Sequence, residues 1–425
     1  MRNIMIGAGI AALAATGVQA GGIERASNDY GILFSEGRQL NFGISFVKPK
    51  VSGDYPAALG GGSTGDMAND YTTLSASYKM DFGNNLSFGL FLNNAYGADA
   101  EYSQGVYTGL EAEWESEQTA LILKYNIGER FSVYGGARYV RSDARIAIPE
   151  LLVRGSVGGY ATDLGTEAAT LAAQAAAAAG AGDLATAAAL GAEATALGAE
   201  ATRLGAAANP LSNPLGDPGM AYAANGSSGD WGYVVGAAYE IPDIALRVAL
   251  TYESAINHEF GTSESLATLG IPGSSTTSIT MPQSVSLDFQ TGVAPGTLVF
   301  GKIKWTEWSK WEVRTPGYES VTGGRVTGLD NDVITYNIGV GRQFSDNFSG
   351  FAQLTYEAAN GGVASRLAPT DGMFGIGIGG QYTEDNMKIR GGIQYVRVGD
   401  ATDGSGVQFE GNSVLGLGMQ VSFSF

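Results

Sequence analysis

Cysteine is absent from the 425 residues, and histidine occurs once, as His258. The absence of cysteine excludes disulfide bonds and thiolate metal sites, so the fold must be held by hydrogen bonds and packing. A lone histidine gives little basis for a metal centre or a catalytic triad. We therefore expect no catalytic residue, no metal and no cofactor, and the chain is predicted not to be an enzyme.

Basic residues are also scarce. The chain has 24 Lys and Arg against 42 Asp and Glu, a net charge of −18. Such an acidic chain lacks the positive surface that nucleic-acid binding requires, so no nucleic-acid partner is expected. Beyond the N-terminus no apolar run is long enough for a membrane-crossing helix, which argues against a helical membrane topology.

Residues 1–20 resemble a secretory signal peptide. Arg2 supplies the basic start, residues 4–15 are apolar or small, and Val18-Gln19-Ala20 has the spacing of a signal-peptidase site. We expect cleavage after Ala20 and export of the mature chain.

The C-terminal residues 414–425 read V-L-G-L-G-M-Q-V-S-F-S-F, with apolar residues at every second position. A period of two predicts a β-strand with one apolar face. A final strand that ends on an aromatic residue, here Phe425, resembles the last strand of bacterial outer-membrane β-barrels. In those proteins it is the signal for the barrel-assembly machinery, which is therefore an expected partner.

The same alternation recurs along the chain and predicts an all-β, transmembrane, antiparallel barrel of about fourteen strands. Six connections are short and rich in turn-forming residues, whereas the other seven are predicted to be long, as in barrels with periplasmic turns and extracellular loops. The predicted strands are residues 38–48, 70–82, 86–96, 117–127, 131–142, 229–240, 244–255, 282–292, 297–308, 331–343, 347–358, 372–383, 387–398 and 413–425. His258 is therefore predicted to lie in the fourth long loop, residues 256–281.

The two faces of each strand can be assigned. In the second strand Leu74 and Phe82 share the apolar face, while Lys79 and Asp81 lie on the polar face. The apolar face is expected to contact lipid, because Lys or Arg at the bilayer midplane costs about 2–4 kcal/mol. Aromatic residues beside the short turns predict an interfacial girdle: Phe82, Phe88, Tyr125, Phe131, Tyr239, Phe344, Phe348 and Tyr382.

A long extracellular loop is predicted at residues 143–228. Within it residues 165–208 are Ala-rich and are expected to form helices, with Asp183 as a cap for the second of them. Leu190, Leu197 and Leu204 are seven residues apart, which suits helix-on-helix packing. The insertion is either a loop expansion without a specific role or an element that contacts other surfaces.

One block carries a family resemblance. The Pro282-led strand, its short turn and the following strand end in Trp308-Ser309-Lys310-Trp311, preceded by Trp305, and this block is similar to the FadL/TodX family of hydrophobic-compound transporters. Residues 47–53 and 365–374 resemble other family segments. The resemblance implies a fourteen-stranded barrel with an N-terminal hatch, and transport of long-chain fatty acids or similar hydrophobic molecules.

The resemblance also implies where ligand and hatch lie. Residues 21–36 are expected to form a short hatch without the family's N-P-A motif, with Ile23, Ile32, Leu33 and Phe34 inside the lumen; residues 37–425 form the barrel. The candidate ligand-binding residues, most of them basic, are Lys302, Lys304, Lys310, Arg314, Arg138, Trp305 and Trp308. Any of these cations is alternatively neutralised by lumen carboxylates such as Asp81, Asp288 or Glu357.

The third strand contains the candidate lateral opening. Alternation is regular to Leu92 and then fails at Asn93-Asn94-Ala95-Tyr96-Gly97. Neighbouring residues point to opposite faces, so two adjacent Asn residues cannot both face the lumen of a regular strand. Either the strand has left the membrane, or it kinks at Asn93, Asn94 and Gly97 and opens the wall, as the family resemblance implies.

Two other functions fit a barrel of this kind. An adhesion or surface-interaction protein would act through the Ala-rich loop, and a diffusion porin would conduct ions steadily. The second loop contains an acidic group, which is either a solvated loop face or a contact for lipopolysaccharide through divalent cations: Asp99, Glu101, Glu111, Glu113, Glu115 and Glu117. Outer-membrane lipid and lipopolysaccharide are expected neighbours of the barrel.

Overall fold

The computed structural model describes residues 22–425, so the predicted signal peptide lies outside the described residues. The fold is a closed antiparallel barrel of fourteen strands, as predicted. In chain order they are β1 (Gln39–Lys50), β2 (Tyr71–Gly83), β3 (Leu86–Asn93 and Gly97–Glu101), β4 (Glu111–Ile127), β5 (Phe131–Ile148), β6 (Tyr222–Ile241), β7 (Leu246–Glu253 and Ile256–Leu266), β8 (Ile271–Met281 and Ser284–Ala294), β9 (Thr297–Thr306), β10 (Val333–Gln343), β11 (Phe348–Glu357), β12 (Met373–Glu384), β13 (Met387–Val398) and β14 (Ser413–Ser424).

The barrel closes between its first and last strands. β14 pairs with β1 from Gln39↔Ser424 to Lys50↔Ser413, and with β13 on its other edge. Each remaining strand pairs with its neighbours in sequence. The final Phe425 is held by its backbone to Arg38, so the strand that ends the chain also seals the wall.

Alternation produces an apolar exterior and a polar interior. Leu74 and Phe82 are exposed on the outside of β2, while Thr73 and Lys79 on the same strand are buried inside. This distribution is inverted relative to a water-soluble protein and suits a wall in contact with lipid. Within residues 22–425 no helix combines the length and apolarity that a bilayer crossing needs.

The short turns lie where the sequence predicts them. Asn84 and Asn85 connect β2 to β3 with φ of 50° and 63°, a conformation that Asn tolerates better than most residues. The long connections lie at the opposite, extracellular end and contain five short strands in two small sheets. One sheet pairs Glu312–Val313 with Thr327–Gly328, and the other joins Val363–Ala364, Ala401–Asp403 and Gln408–Phe409. The same connections contain several short 3₁₀ helices.

Five strands extend much further at the extracellular end than predicted. They are β4, β5, β6, β7 and β8, and the prediction of a long fourth loop is wrong. The second half of β7 pairs with β8 from Ile256↔Met281 to Leu266↔Ile271, which leaves a tight connection of residues 267–270. His258 therefore lies on a strand rather than in a loop.

The Ala-rich insertion is a helical hairpin that begins earlier than expected. Helix α1 spans Glu150–Gly180 and α2 spans Leu184–Ala208. Asp183 caps α2 by accepting a hydrogen bond from the backbone N–H of Thr186 at 3.1 Å. The Thr186 hydroxyl and backbone bonds also lower the pKa of the Asp183 carboxyl. Glycine and alanine face each other along the hairpin, so the helices pack closely.

The base of the hairpin completes a hydrophobic cap over the extracellular mouth. Val153, Val157 and Leu204 are fully buried against other loops, including Tyr318 of the short helix α3 (Pro316–Thr322). The cap also contains Tyr55, Tyr102, Tyr107, Met220, Val407 and Phe409. Within residues 22–425, packed side chains therefore cover the extracellular mouth of the lumen.

Candidate functional site

The N-terminal segment, residues 22–29, runs through the lumen without regular secondary structure and leads into a 3₁₀ helix, Tyr30–Phe34. A single β-bridge, Glu24↔Tyr96, joins it to the interrupted part of β3. The Arg25 N–H donates to the Ala95 carbonyl at 2.8 Å, and the Gly97 N–H donates to the Ile23 carbonyl at 2.8 Å. The hatch residues Ile23, Ile32 and Leu33 are buried, and Phe34 packs beside them.

Lumen cations hold the 3₁₀ helix near the periplasmic end. The Lys124 ammonium donates to the Leu33 carbonyl at 3.1 Å and lies 4.5 Å from the centre of the Phe34 ring. The Lys79 ammonium donates to the carbonyls of Ser35 and Gly37 at 2.6 and 3.0 Å. The short hatch is thus fastened to the wall by charge-assisted bonds.

Above the N-terminal segment lies a small apolar cavity of about 80 Å³. Ile23 forms part of its floor. The other apolar side chains that line it come from the wall and the loops: Ala98, Trp114, Ile146, Phe260, Ile279, Trp311, Val313 and Leu367. Trp114 packs edge-on against both Phe260 and Trp311, with ring centres 5.3 and 6.2 Å apart. The surface is suited to an apolar ligand.

Below the N-terminal segment lies a more polar chamber of about 250 Å³. Lys302 and Lys304 of β9 line it, together with Glu24, Asp288 and hatch residues. Because Ile23 lines the upper cavity and Glu24 lines the lower chamber, the N-terminal segment lies between them.

The lumen cations of the predicted site are paired. Lys304 contacts both carboxylate oxygens of Glu24 at 2.5 and 2.6 Å, and the pair is almost completely buried. Lys302 lies 3.5 Å from Asp288, which is one of the carboxylates expected to neutralise it. Asp81 pairs with Lys79, and Glu357 accepts a bond from Thr335 at 2.6 Å.

Arg138 is the centre of a buried polar network that joins wall and hatch. Its guanidinium donates to the Ser254 carbonyl at 2.6 Å and contacts the Glu253 carboxylate at 3.4 Å. The hydroxyl of Tyr30 donates to the same carboxylate at 2.6 Å. Burial, with Glu253 nearby, raises the pKa of Tyr30 well above its usual value, so this phenol remains a donor.

The other predicted ligand residues do not gather at the lumen. Lys310 is exposed, and Arg314 is bound to Glu312 and Glu319 at 3.3 and 2.8 Å in a partly exposed loop cluster. Trp305 follows the inward-facing Lys304 on β9, so its side chain lies on the outer face of that strand, as that of Ile303 does. Trp308, by contrast, is fully buried beside Gly22 at the start of the described chain.

β3 is interrupted where the sequence loses its alternation. Ser75↔Asn93 is the last paired position of β2 and β3, and the second half of β3 pairs with β4 alone until the isolated bridge Ala68↔Ala100. Residues 71–74 of β2 therefore have no backbone ladder to β3. One extra residue on β3 shifts its register against β4 between Asn93 and Gly97.

Neither asparagine is left without a partner at this break. Asn93 is buried, and its side-chain amide donates to the side-chain oxygen of Asn28 at 2.8 Å. The Asn94 side-chain oxygen accepts a bond from the Leu74 N–H at 3.0 Å, in place of the missing ladder. Gly97 has the Arg25 side chain directly beneath it, since an added Cβ would lie 2.4 Å from Nε.

A third cavity, about 150 Å³ in volume, adjoins this interruption. Tyr71 and Gly97 lie on its wall side, and Arg25 passes through it with its guanidinium 4.1 Å from the Tyr71 ring centre. It shares Ile23, Ala98, Leu367 and Ala368 with the apolar cavity. The two cavities therefore adjoin at these four residues.

The structure also brings together Ser142, His258 and Asp230, which the sequence reasoning did not connect. His258 lies 3.0 Å from Asp230 and 3.4 Å from Ser142. Ser142 and His258 have no exposed surface and line none of the three cavities described above, so a substrate cannot reach the hydroxyl. The cluster instead joins β6 and β7 where residues 228–233 lack ladder pairing.

Comparison with known proteins identifies this architecture. The family model for outer membrane protein transport proteins (OMPP1/FadL/TodX) matches residues 6–405. No curated protein sequence matches the chain. A Pseudomonas aeruginosa FadL homologue superposes with a TM-score of 0.65 at 11% identity, covering 94% of this chain and 93% of that one.

Two further solved structures have the same fold. The Pseudomonas putida toluene transporter TodX has a TM-score of 0.59 at 13% identity, covering 96% of this chain and 98% of its own. The CymD monoaromatic hydrocarbon channel has a TM-score of 0.52 at 13% identity, covering 92% and 89%. The chain belongs to the FadL/TodX family of outer-membrane proteins that transport hydrophobic compounds.

Proposed function

We propose that this barrel takes up long-chain fatty acids or similar hydrophobic molecules and releases them sideways through the wall at the β3 interruption. The observation that carries the proposal is the cavity beside Tyr71 and Gly97, where β2 and β3 lack a ladder and the cavity shares lining side chains with the apolar pocket.

Lateral release suits the chemistry of the cargo. An apolar molecule loses free energy of about 25 cal/mol for each Å² that it removes from water, so passage through a wet lumen into the periplasm would be uphill. A route from the Trp114 and Trp311 pocket through the cavity beside Tyr71 passes mostly apolar side chains, with Glu24, Arg25 and Asp99 also in the lining of that cavity. The packed extracellular cap supports entry between loops, after capture at the surface.

The head group of the cargo has a candidate site at Lys304. This ammonium lies on β9 below the apolar cavity and is within reach of a ligand whose tail lies among the tryptophans. Trp308 and Ile23 are the apolar residues between the apolar cavity and the polar chamber that contains Lys304. TodX and CymD are described for monoaromatic compounds, so both aromatic hydrocarbons and fatty acids belong in a first test.

Uptake by cells and conductance in bilayers together test the proposal. Expression in a strain without its own fatty-acid transporter is expected to restore uptake of labelled oleate or toluene, whereas purified protein in planar bilayers should pass little steady ionic current. Absent uptake of both compounds would contradict the proposal, and a large steady current would favour a diffusion porin.

The α1–α2 hairpin provides a separate test of the adhesion alternative. Excision of residues 172–194, closed with a short Gly-rich turn, removes the distal and mostly exposed part but keeps the buried Val157 and Leu204. We expect uptake to be unchanged in this variant. Excision of residues 165–208 removes Leu204 from the loop core and should reduce uptake by loosening the cap. Loss of surface attachment with normal uptake in the shorter excision would support an adhesive role.

A further inference from the structure

The segment Gly22-Ile23-Glu24 has the shape and polarity of a bound amphiphile. Ile23 points into the apolar cavity beside Trp114 and Trp311, and the neighbouring Glu24 side chain points to the opposite side, towards Lys304. An apolar group above and a carboxylate on the lysine below reproduce the two parts of a fatty acid. The segment thus occupies the positions that a ligand of this class would need.

Lys304 cannot hold both carboxylates at low cost. Its side chain and that of Glu24 are 9% and 8% exposed, and both carboxylate oxygens contact the ammonium. One lysine neutralises one carboxylate, and a second buried carboxylate would be an uncompensated charge. The nearby Lys302 is already paired with Asp288. An anionic ligand therefore binds Lys304 only by exchange with Glu24.

The exchange is coupled to the wall. Three backbone bonds join this segment to the β3 interruption and flank Glu24: the Ile23 carbonyl accepts from the Gly97 N–H, and the N–H groups of Arg25 and Ala26 both donate to the Ala95 carbonyl. The Arg25 side chain lines the cavity beside Tyr71. When Glu24 leaves Lys304, the segment loses its attachment to β9, and the side chains that block the interruption are freed with it.

We propose that Glu24 is an internal surrogate for the ligand's carboxylate, and that its displacement from Lys304 by an anionic amphiphile releases residues 22–26 from β3 and opens the lateral route. This inference rests on the proposed function and adds to it an internal competitor, Glu24, which an anionic amphiphile must replace on Lys304 before residues 22–26 can leave β3. A neutral hydrocarbon can occupy the apolar cavity without triggering the exchange.

The test compares ligands that differ only in their head groups. Laurate and dodecanol are titrated into the mature protein in lipid nanodiscs, with tryptophan fluorescence as the signal, since Trp308 packs against Gly22. In the Glu24→Gln variant the internal competitor is removed, so laurate should bind at least about tenfold more tightly, as expected when a competing state is abolished. Dodecanol affinity should be unchanged. Glu319→Gln, which removes the same charge from the Arg314 loop pair, is the matched control and should alter neither.

Reversal of the pair separates head-group exchange from simple loosening. Glu24→Lys combined with Lys304→Glu keeps the ion pair, so the barrel should still fold, but preference should change from laurate to dodecylammonium. Equal tightening of laurate and dodecanol in Glu24→Gln, or retained laurate preference in the reversed pair, would overturn the inference. In either case uptake of toluene by the wild-type protein leaves the proposed function standing, whereas failure to bind or transport any of the probes would remove both.

Discussion

A disulfide across the β2–β3 gap is expected to abolish uptake of hydrophobic substrates, and reduction is expected to restore it. Leu74→Cys with Asn94→Cys places the two thiols where the Asn94 side chain now reaches the Leu74 N–H at 3.0 Å, so the backbones are close enough for a bridge. The chain has no other cysteine, so the bond can form only as designed. The crosslink prevents the strands from separating beside the cavity at Tyr71.

The control is a disulfide in the continuous part of the same strand pair. Ala76 and Leu92 are directly opposite one another in the β2–β3 ladder, where the wall is already closed. Ala76→Cys with Leu92→Cys should leave uptake of labelled oleate or toluene unchanged. If the complete crosslink at residues 74 and 94 also leaves uptake unchanged, ligands do not leave through this interruption.

The fold could be predicted from the sequence because the bilayer enforces a regular pattern. Leu74 and Phe82 must face lipid and Lys79 must not. The alternation, the short turns and the number of strands can therefore be predicted from the sequence. The helical hairpin was also predictable, since Ala-rich sequence and the Asp183 cap are local signals.

The extracellular strand extensions were missed because they have left the membrane. On the second half of β7 buried and exposed residues alternate from Ile256 to Leu266, yet the exposed positions include Asn257, Glu259 and Ser263. Once the outer face meets water it no longer needs apolar residues, and the lipid-facing pattern disappears although the strand continues. His258 was assigned to a loop for this reason.

The candidate site was only partly predictable. Alternation places Lys302 and Lys304 inside the barrel, but it says nothing about which group opposes them. Glu24 meets Lys304 across 280 residues of sequence, and the path of the N-terminal segment through the lumen sets that contact. The failure of alternation at Asn93 and Asn94 was informative, because two adjacent polar residues in a membrane strand require an irregular backbone.

Removal of the Arg138 charge is expected to cause a large loss of stability and to loosen the hatch. Arg138 is 1% exposed, and Arg138→Met would leave Glu253 buried without its cation and the Ser254 carbonyl without its donor. Breaking a buried pair in this way costs about 3–5 kcal/mol. Because Glu253 also accepts the bond from Tyr30, the hatch should move more freely and steady ionic conductance should rise.

The measurement is the free energy of unfolding in urea, with refolding into lipid or detergent, combined with bilayer conductance. Arg145→Met is the matched control, since Arg145 pairs with Glu113 on the exposed part of the wall and its side chain is 64% exposed. An exposed pair of this kind contributes only about 0–1 kcal/mol, so both stability and conductance of the control should be near wild type. If Arg138→Met stays as close to wild type as the control in both stability and conductance, the Arg138 network neither stabilises the barrel nor fastens the hatch.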